Sequence, residues 1–240
     1  MKLGQYDINE IYNEDCLEAI KKLPNKCIDC IITDPPYFLG VTHNGQKGEY
    51  SDLAMMRPFF DSLFFQFERI LQPEGKMYLC CDYRTYPFFY PIAEQYHIIR
   101  NLLVWDKVSG AGNFYAFTHE FVMFCCNSVV NMKGKNIITG IPSFAGGAKK
   151  TNGEKIHPTQ KTVELFEKFI LDSTNEGDVV LDAFMGSGTL AIAAIKNNRN
   201  FIGFELQEKY CKIAKERVET FKGNFVTIEN MKQEITLFHQ

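Results

Sequence analysis

No apolar run in this 240-residue chain is long enough to cross a bilayer, and the opening MKLGQYDINE has neither the basic start nor the apolar stretch of a secretory leader. A cytoplasmic protein is the expectation. Internal repeats and low-complexity tracts are also missing. Hydrophobic residues make up 45% and charged residues 23%, which excludes a disordered or fibrous chain. This length can enclose one sizeable core, and two full domains are not expected, so 1–240 is taken as a single domain.

A second CxxC is missing as well. Cys27 and Cys30 form one such motif, but no partner CxxC or histidine pair lies at zinc-finger spacing. Cys80–Cys81 and Cys125–Cys126 are neighbours inside apolar, strand-like runs, where adjacent side chains face opposite ways and cannot share a metal easily. No metal is expected, and the eight cysteines read as buried, reduced thiols.

Excess positive charge is absent too: the net charge is −3, which alone suggests no nucleic-acid partner. Distribution matters more than the sum. Residues 131–155, NMKGKNIITGIPSFAGGAKKTNGEK, hold five lysines against one glutamate, among them Lys133, Lys135, Lys149 and Lys150. This is either a basic loop that grips a polyanion or a solvated surface loop.

What is present is alternation. Short apolar strands at 28–33, 76–81, 98–105, 120–126, 178–183 and 200–204 are separated by amphipathic stretches at 15–23, 57–71, 85–95, 160–173, 188–197 and 207–222. That order predicts an α/β domain, a mainly parallel sheet with helices on both faces. Val163, Phe166, Phe169 and Ile170 recur at helical spacing and belong to the core. A further strand is predicted at FVTIE, after a helix ending near Phe221. Two long segments, 40–52 and the lysine-rich stretch, fit no element and suit loops that close on a substrate.

Two places carry chemistry. In IDCIITDPPYFLG, residues 28–40, an apolar strand runs into two prolines, which fix two φ angles and remove two backbone donors. Asp34 and Tyr37 are thereby held on a stiff turn. In DVVLDAFMGSGTLAIAAI, residues 178–195, a strand, a glycine turn and a helix follow one another; Gly186 and Gly188 permit close approach of a ligand to the backbone. Glu205, nineteen positions after Gly186, ends the next strand and suits ribose hydroxyls. Gly186, Gly188 and Ala191 also satisfy the G-x-G-x-x-A form of a dinucleotide site, so an NAD or FAD enzyme competes. Asp182 weighs against it, because a carboxylate at the strand end would repel a pyrophosphate. S-adenosylmethionine, with a sulfonium, an ammonium and two ribose hydroxyls, fits better.

TDPPY at 33–37, HPTQKT at 157–162 and DAFMGSGT at 182–189, in that order, resemble the amino-methyltransferases of DNA, in particular the circularly permuted group whose catalytic motif precedes its cofactor loop. The likeness extends to RILQPEGKMYLCC at 69–81 and THEFVMFCC at 118–126; Thr162 stands where proline is more usual, and Met185 fills a variable place. The resemblance implies one Rossmann-like methyltransferase domain with a seven-stranded sheet. It implies a bacterial or phage enzyme that moves a methyl group from S-adenosylmethionine to N6 of a flipped-out adenine in double-stranded DNA. Cytosine N4, RNA, or non-catalytic DNA binding are the alternatives.

By the same resemblance, the Asp34 carboxylate and the Pro35 carbonyl accept the two hydrogens of the exocyclic amine, Pro36 stiffens the turn, and Tyr37 stacks on the base. Thr159 and Lys161 would meet the cofactor's carboxylate, Thr159 being alternatively the cap of the 160–173 helix. Phe184 would stack on the cofactor or pack beneath the loop, and Thr189 would complete the cofactor site. Asp15 is either a helix cap or a contact of the cofactor's adenine. His119 is expected to be structural. Base reading would fall to 106–156, a short region that implies either a second subunit in a homodimer or a short recognition sequence. The tail at 230–240, through QEITLF, looks like peptides that dock on the bacterial sliding clamp, or else packs on its own domain.

Overall fold

The structure, a computed structural model, describes residues 1–36, 53–108, 110, 114–129, 132, 134–143 and 160–237. The chain opens with the hairpin β1 (Lys2–Leu3) and β2 (Tyr6–Asp7), followed by β3 (Glu10–Tyr12) and α1 (Cys16–Ile20). Then come β4 (Ile28–Thr33), α2 (Leu53–Ile70), β5 (Leu71–Cys81), α3 (Tyr86–Ala93), β6 (Ile99–Asp106), β7 (His119–Cys126) and β8 (Ile137–Ile138). The last part holds α4 (Val163–Ser173), β9 (Val179–Asp182), α5 (Thr189–Lys196), β10 (Asn200–Phe204) and α6 (Glu208–Leu237).

Eight strands form the main sheet, in the order β3-β10-β9-β4-β5-β7-β6-β8. Only β7 runs against its neighbours, so the sheet is mainly parallel as predicted. All six predicted inner strands are present, with β5 beginning earlier at Leu71. The strand count and the chain's end are corrected. FVTIE is not a strand but part of α6, which runs on through Gln233–Leu237. The edge it would have joined is already taken, because β3 pairs with the outer side of β10. The earlier turns of α6 carry the pairs Glu208–Lys212 and Glu219–Lys222 at helical spacing. The opposite edge is closed by the two-residue β8.

Each face of the sheet has its own core. Ile31, Met77, Leu79 and Leu181 pack against Phe60, Phe64, Phe67 and Phe89 of α2 and α3. Ile32, Tyr78, Val122 and Val180 pack against Phe166, Phe169 and Ile170 of α4 and the apolar side of α5. Tyr78 stacks on Phe169 at 4.3 Å, and its hydroxyl is 2.6 Å from Ser173 Oγ. Strand alternation separates the cysteine pairs as expected: Cys81 and Cys125 lie in the first core, Cys80 and Cys126 in the second. All eight thiols are free, and seven are buried.

The starts of α1 and α4 are marked by their cap residues. Asp15 caps α1, its Oδ1 accepting from Glu18 N at 3.0 Å. α4 begins at Val163 with Thr162 in the cap position, which removes the capping alternative for Thr159. Among the described residues no helix is long and apolar enough to cross a membrane.

Because β4, β5, β9 and β10 are parallel, their C-terminal ends share one edge, and antiparallel β7 begins there. Ligand sites of open α/β sheets form at this edge. Asp34 follows β4, Asp182 ends β9, Glu205 follows β10 and Glu120 is the second residue of β7.

Candidate active site

The loop after β9 is fastened from three sides. Gly186 and Gly188 sit at φ 53° and 81°, a left-handed backbone that other residues adopt only with strain. A Cβ on Gly188 would lie 3.2 Å from Ala214 Cβ, so α6 crosses the loop closely. Glu205 ties the turn to β10: its Oε2 accepts from Gly186 N at 2.9 Å and its Oε1 from Gln207 N at 2.8 Å. Met185 is buried in the space left by Gly203, where any Cβ would overlap its side chain. Arg217 of α6 donates to Ser187 O at 3.0 Å.

Asp182 is 2% exposed, and its Oδ1 accepts from Thr33 Oγ1 at 2.8 Å and from Phe184 N at 2.9 Å. The ends of β4 and β9 are thereby joined. Burial pushes its pKa up to about 7; the two hydrogen bonds oppose this, and the charges of Asp34 and Glu205 add to it. Glu205 is raised by burial as well, against the pull of its two backbone donors.

Asp34 belongs to a buried chain of charges. Lys161 Nζ lies 2.8 Å from Asp34 Oδ2 and 2.9 Å from Glu120 Oε2, while Lys107 Nζ lies 3.1 Å from Glu120 Oε1. Burial alone would lower the Lys161 pKa, but the two carboxylates outweigh it and hold the ammonium above the ordinary lysine range. Burial likewise pushes Glu120 up, and the two ammoniums overcome it and hold the carboxyl well below its usual value. Lys161 and Glu120 are therefore charged at neutral pH.

One cleft is lined by Asp34, Lys161, Asp182, Phe184, Gly186 and Thr189, six of the residues singled out by sequence. Gly188 and Glu205 support it from behind the loop. Phe184 is half-buried against the α2–α3 core while also facing the cleft. Thr189 begins α5 and donates to the carbonyl of Lys161 at 3.4 Å. Pro35 is buried and Pro36 exposed. Asp15 takes the capping role already described. His119 is exposed, its ring 5.2 Å from Phe121. Lys135 is exposed two residues before β8, at the far edge of the sheet and away from the cleft. Tyr37, Thr159, Lys133, Lys149 and Lys150 lie outside the described residues.

Sequence reasoning passed over Glu120 and Lys107, although a signal existed. Glu120 alternates with Val122, Phe124 and Cys126, and Lys107 with Trp105, so both charges continue a buried strand face. A charge in that position needs a partner.

The DNA methylase family matches residues 28–216, from β4 into α6. The chain belongs to that family. It is 32% identical over 244 residues to the Type II methyltransferase M.HpaI of Haemophilus parainfluenzae, covering 91% of this chain and 77% of that protein. It is 29% identical over 262 residues to M.HinfI of Haemophilus influenzae, covering 95% and 73%. Among solved structures, the complex of M1.HpyAVI with SAM has 27% identity and a TM-score of 0.66, covering 87% of this DNA methylase and 98% of that chain. The cytosine-N4-specific PvuII DNA methyltransferase shares the fold, with a TM-score of 0.71 at 18% identity over 90% and 92% of the two chains.

Proposed function

We propose that this DNA methylase transfers a methyl group from S-adenosylmethionine to the N6 amine of an adenine flipped out of double-stranded DNA. The observation that carries the reading is the single cleft in which Asp34, at the end of β4, meets the glycine loop of β9. The residues present suit that cofactor: two carboxylates, Asp182 and Glu205, approach one loop, which favours a sulfonium and an ammonium and disfavours a pyrophosphate.

The cofactor supplies an electrophilic methyl group on a charged sulfur. The protein's task lies with the amine, whose lone pair is delocalised into the base. Asp34 and the Pro35 carbonyl accept its two hydrogens and draw the pair out of conjugation, with the prolines keeping the carbonyl aimed. Tyr37 stacks on the base. Glu205 holds the ribose hydroxyls, Phe184 packs on the cofactor and Thr159 faces its carboxylate. Asp15 additionally borders the cofactor's adenine. No cysteine is needed as a nucleophile, and burial holds thiols such as Cys27 protonated, raised to about 11.

A base inside a duplex cannot reach Asp34, so it is flipped and its unstacking offset by contacts at the same edge. Phe114, 99% exposed, Tyr115 and the stacked pair Tyr83–Phe117, 5.8 Å apart, offer aromatic faces there. Region 106–156 with Lys133, Lys135, Lys149 and Lys150 reads the site and grips phosphates, with a second subunit assisting. The enzyme works in the cytoplasm. The tail tethers it to the sliding clamp, for which the last turn of α6 would have to leave the helix; clamp binding that survives deletion of residues 233–240 would remove this part.

Incubation with tritiated cofactor and DNA or RNA, followed by nucleoside analysis, tests the whole reading. N6-methyladenine from DNA is expected. N4-methylcytosine, labelled RNA or no transfer would overturn it.

A further inference from the structure

Building on that role for Asp34, we propose that Lys161 serves the catalytic carboxylate and not the cofactor, and that Glu120, held in turn by Lys107, is the positioning residue that keeps it there. Lys161 is 6% exposed and lies between two acids on two different strands, at 2.8 Å from Asp34 and 2.9 Å from Glu120. A buried ammonium without anions is costly, and so are two buried carboxylates without a cation between them. The three groups thus hold one another, and Lys107 at 3.1 Å supplies the fourth charge that makes the set neutral.

The pairing has a consequence for the cofactor. A third carboxylate brought to Lys161 would compete with Asp34 and Glu120 for the same ammonium. The aspartate, in contrast, gains from the bond. A carboxylate can accept from several donors, so the Lys161 contact on Oδ2 fixes the group without using its whole capacity for the amine.

The arrangement is coupled to the cofactor loop through the backbone. Thr189 Oγ1, at the start of α5, donates to the carbonyl of Lys161 at 3.4 Å, and Thr33, next to Asp34, donates to Asp182 at 2.8 Å. Glu120 stands on the buried face of β7, in the register that sets Cys80 opposite Val122. β7 therefore delivers an acid to the ammonium without itself lining the cleft.

The test uses the full-length protein with Lys161→Met, Lys161→Arg and Glu120→Gln. Calorimetric titration with S-adenosylmethionine should give affinities within about twofold of wild type for all three. Single-turnover methylation of a duplex should fall about tenfold or more in Lys161→Met and Glu120→Gln, and be partly restored in Lys161→Arg. If Lys161→Met fails to fold, the double variant Lys161→Met/Glu120→Gln, which removes one charge of each sign, should fold, bind cofactor and remain slow. A folded Lys161→Met or double variant with cofactor affinity reduced tenfold or more would assign Lys161 to the cofactor and overturn the proposal. Wild-type single-turnover rates in Glu120→Gln would also overturn it. A wild-type protein that methylates no adenine at all would instead sink the functional reading on which it rests.

Discussion

Binding of S-adenosylmethionine should expel a proton from Asp182. The carboxyl is buried at the end of β9 with a pKa raised to about 7 by desolvation, so near neutrality about half of the cofactor-free molecules hold it protonated. A sulfonium or ammonium seated nearby favours the charged form and returns the pKa toward the ordinary aspartate value of about 4. Affinity changes with pH in proportion to the protons released. It should rise on the order of fiftyfold from pH 5 to 7, and less than about twofold from pH 7 to 8. Calorimetry in two buffers of different ionisation enthalpy should report release of about half a proton at pH 7, approaching one at pH 6. In Asp182→Asn the side-chain oxygen can still accept from Thr33 Oγ1 and Phe184 N, but nothing titrates, so this part of the pH dependence should vanish. The same raised pKa acts on the empty protein with a definite sign. A group whose folded pKa lies above its unfolded value adds stability at low pH and loses it as pH climbs through about 7, so Asp182→Asn should gain on wild type in thermal melts at pH 8. An affinity that is flat from pH 5 to 7, or equally steep in Asp182→Asn, would refute the reasoning.

Asp34→Asn should lower methylation about a hundredfold or more while calorimetry finds cofactor affinity largely retained, because an acceptor and its charge are lost only where the amine reacts. In Glu205→Ala the amides of Gly186 and Gln207 lose their acceptor along with the ribose hydroxyls, so a cost of about 1–3 kcal/mol should appear in both urea unfolding and cofactor affinity; a change in stability alone would leave Glu205 as a support of the loop. Gly188→Ala forces a side chain onto φ 81° and against Ala214, and a loss of about 1–3 kcal/mol is expected from the urea midpoint; wild-type stability would show that the loop relaxes freely.

Much of the architecture was readable along the chain because the inner strands are buried on both faces. A strand such as Ile28–Thr33 must be apolar nearly throughout, and it ends where Asp34 and the prolines break the run. The glycine loop was equally plain, since a left-handed turn before a helix needs glycine at Gly186 and Gly188. Asp15 was legible as one of two roles, and the structure shows the capping one, its carboxylate accepting from the amide three residues on.

Other features have no local signature. β3 and β8 are two or three residues long and exist only because a neighbouring strand offers them hydrogen bonds. FVTIE has strand-forming residues, yet with the outer side of β10 occupied by β3 it continues a helix, tertiary context overriding propensity. Met185 looked arbitrary until Gly203, on the adjacent strand, proved to leave the space it fills. The sharpest case is Lys161, for which the resemblance suggested the cofactor's carboxylate, while the fold sets it between two carboxylates of the chain itself. Its partner Asp34 is 127 residues away, and Glu120 arrives on a strand of opposite direction. An ion pair is chosen by distance and by burial, and both are properties of the folded sheet, where charges far apart in sequence are brought together out of water.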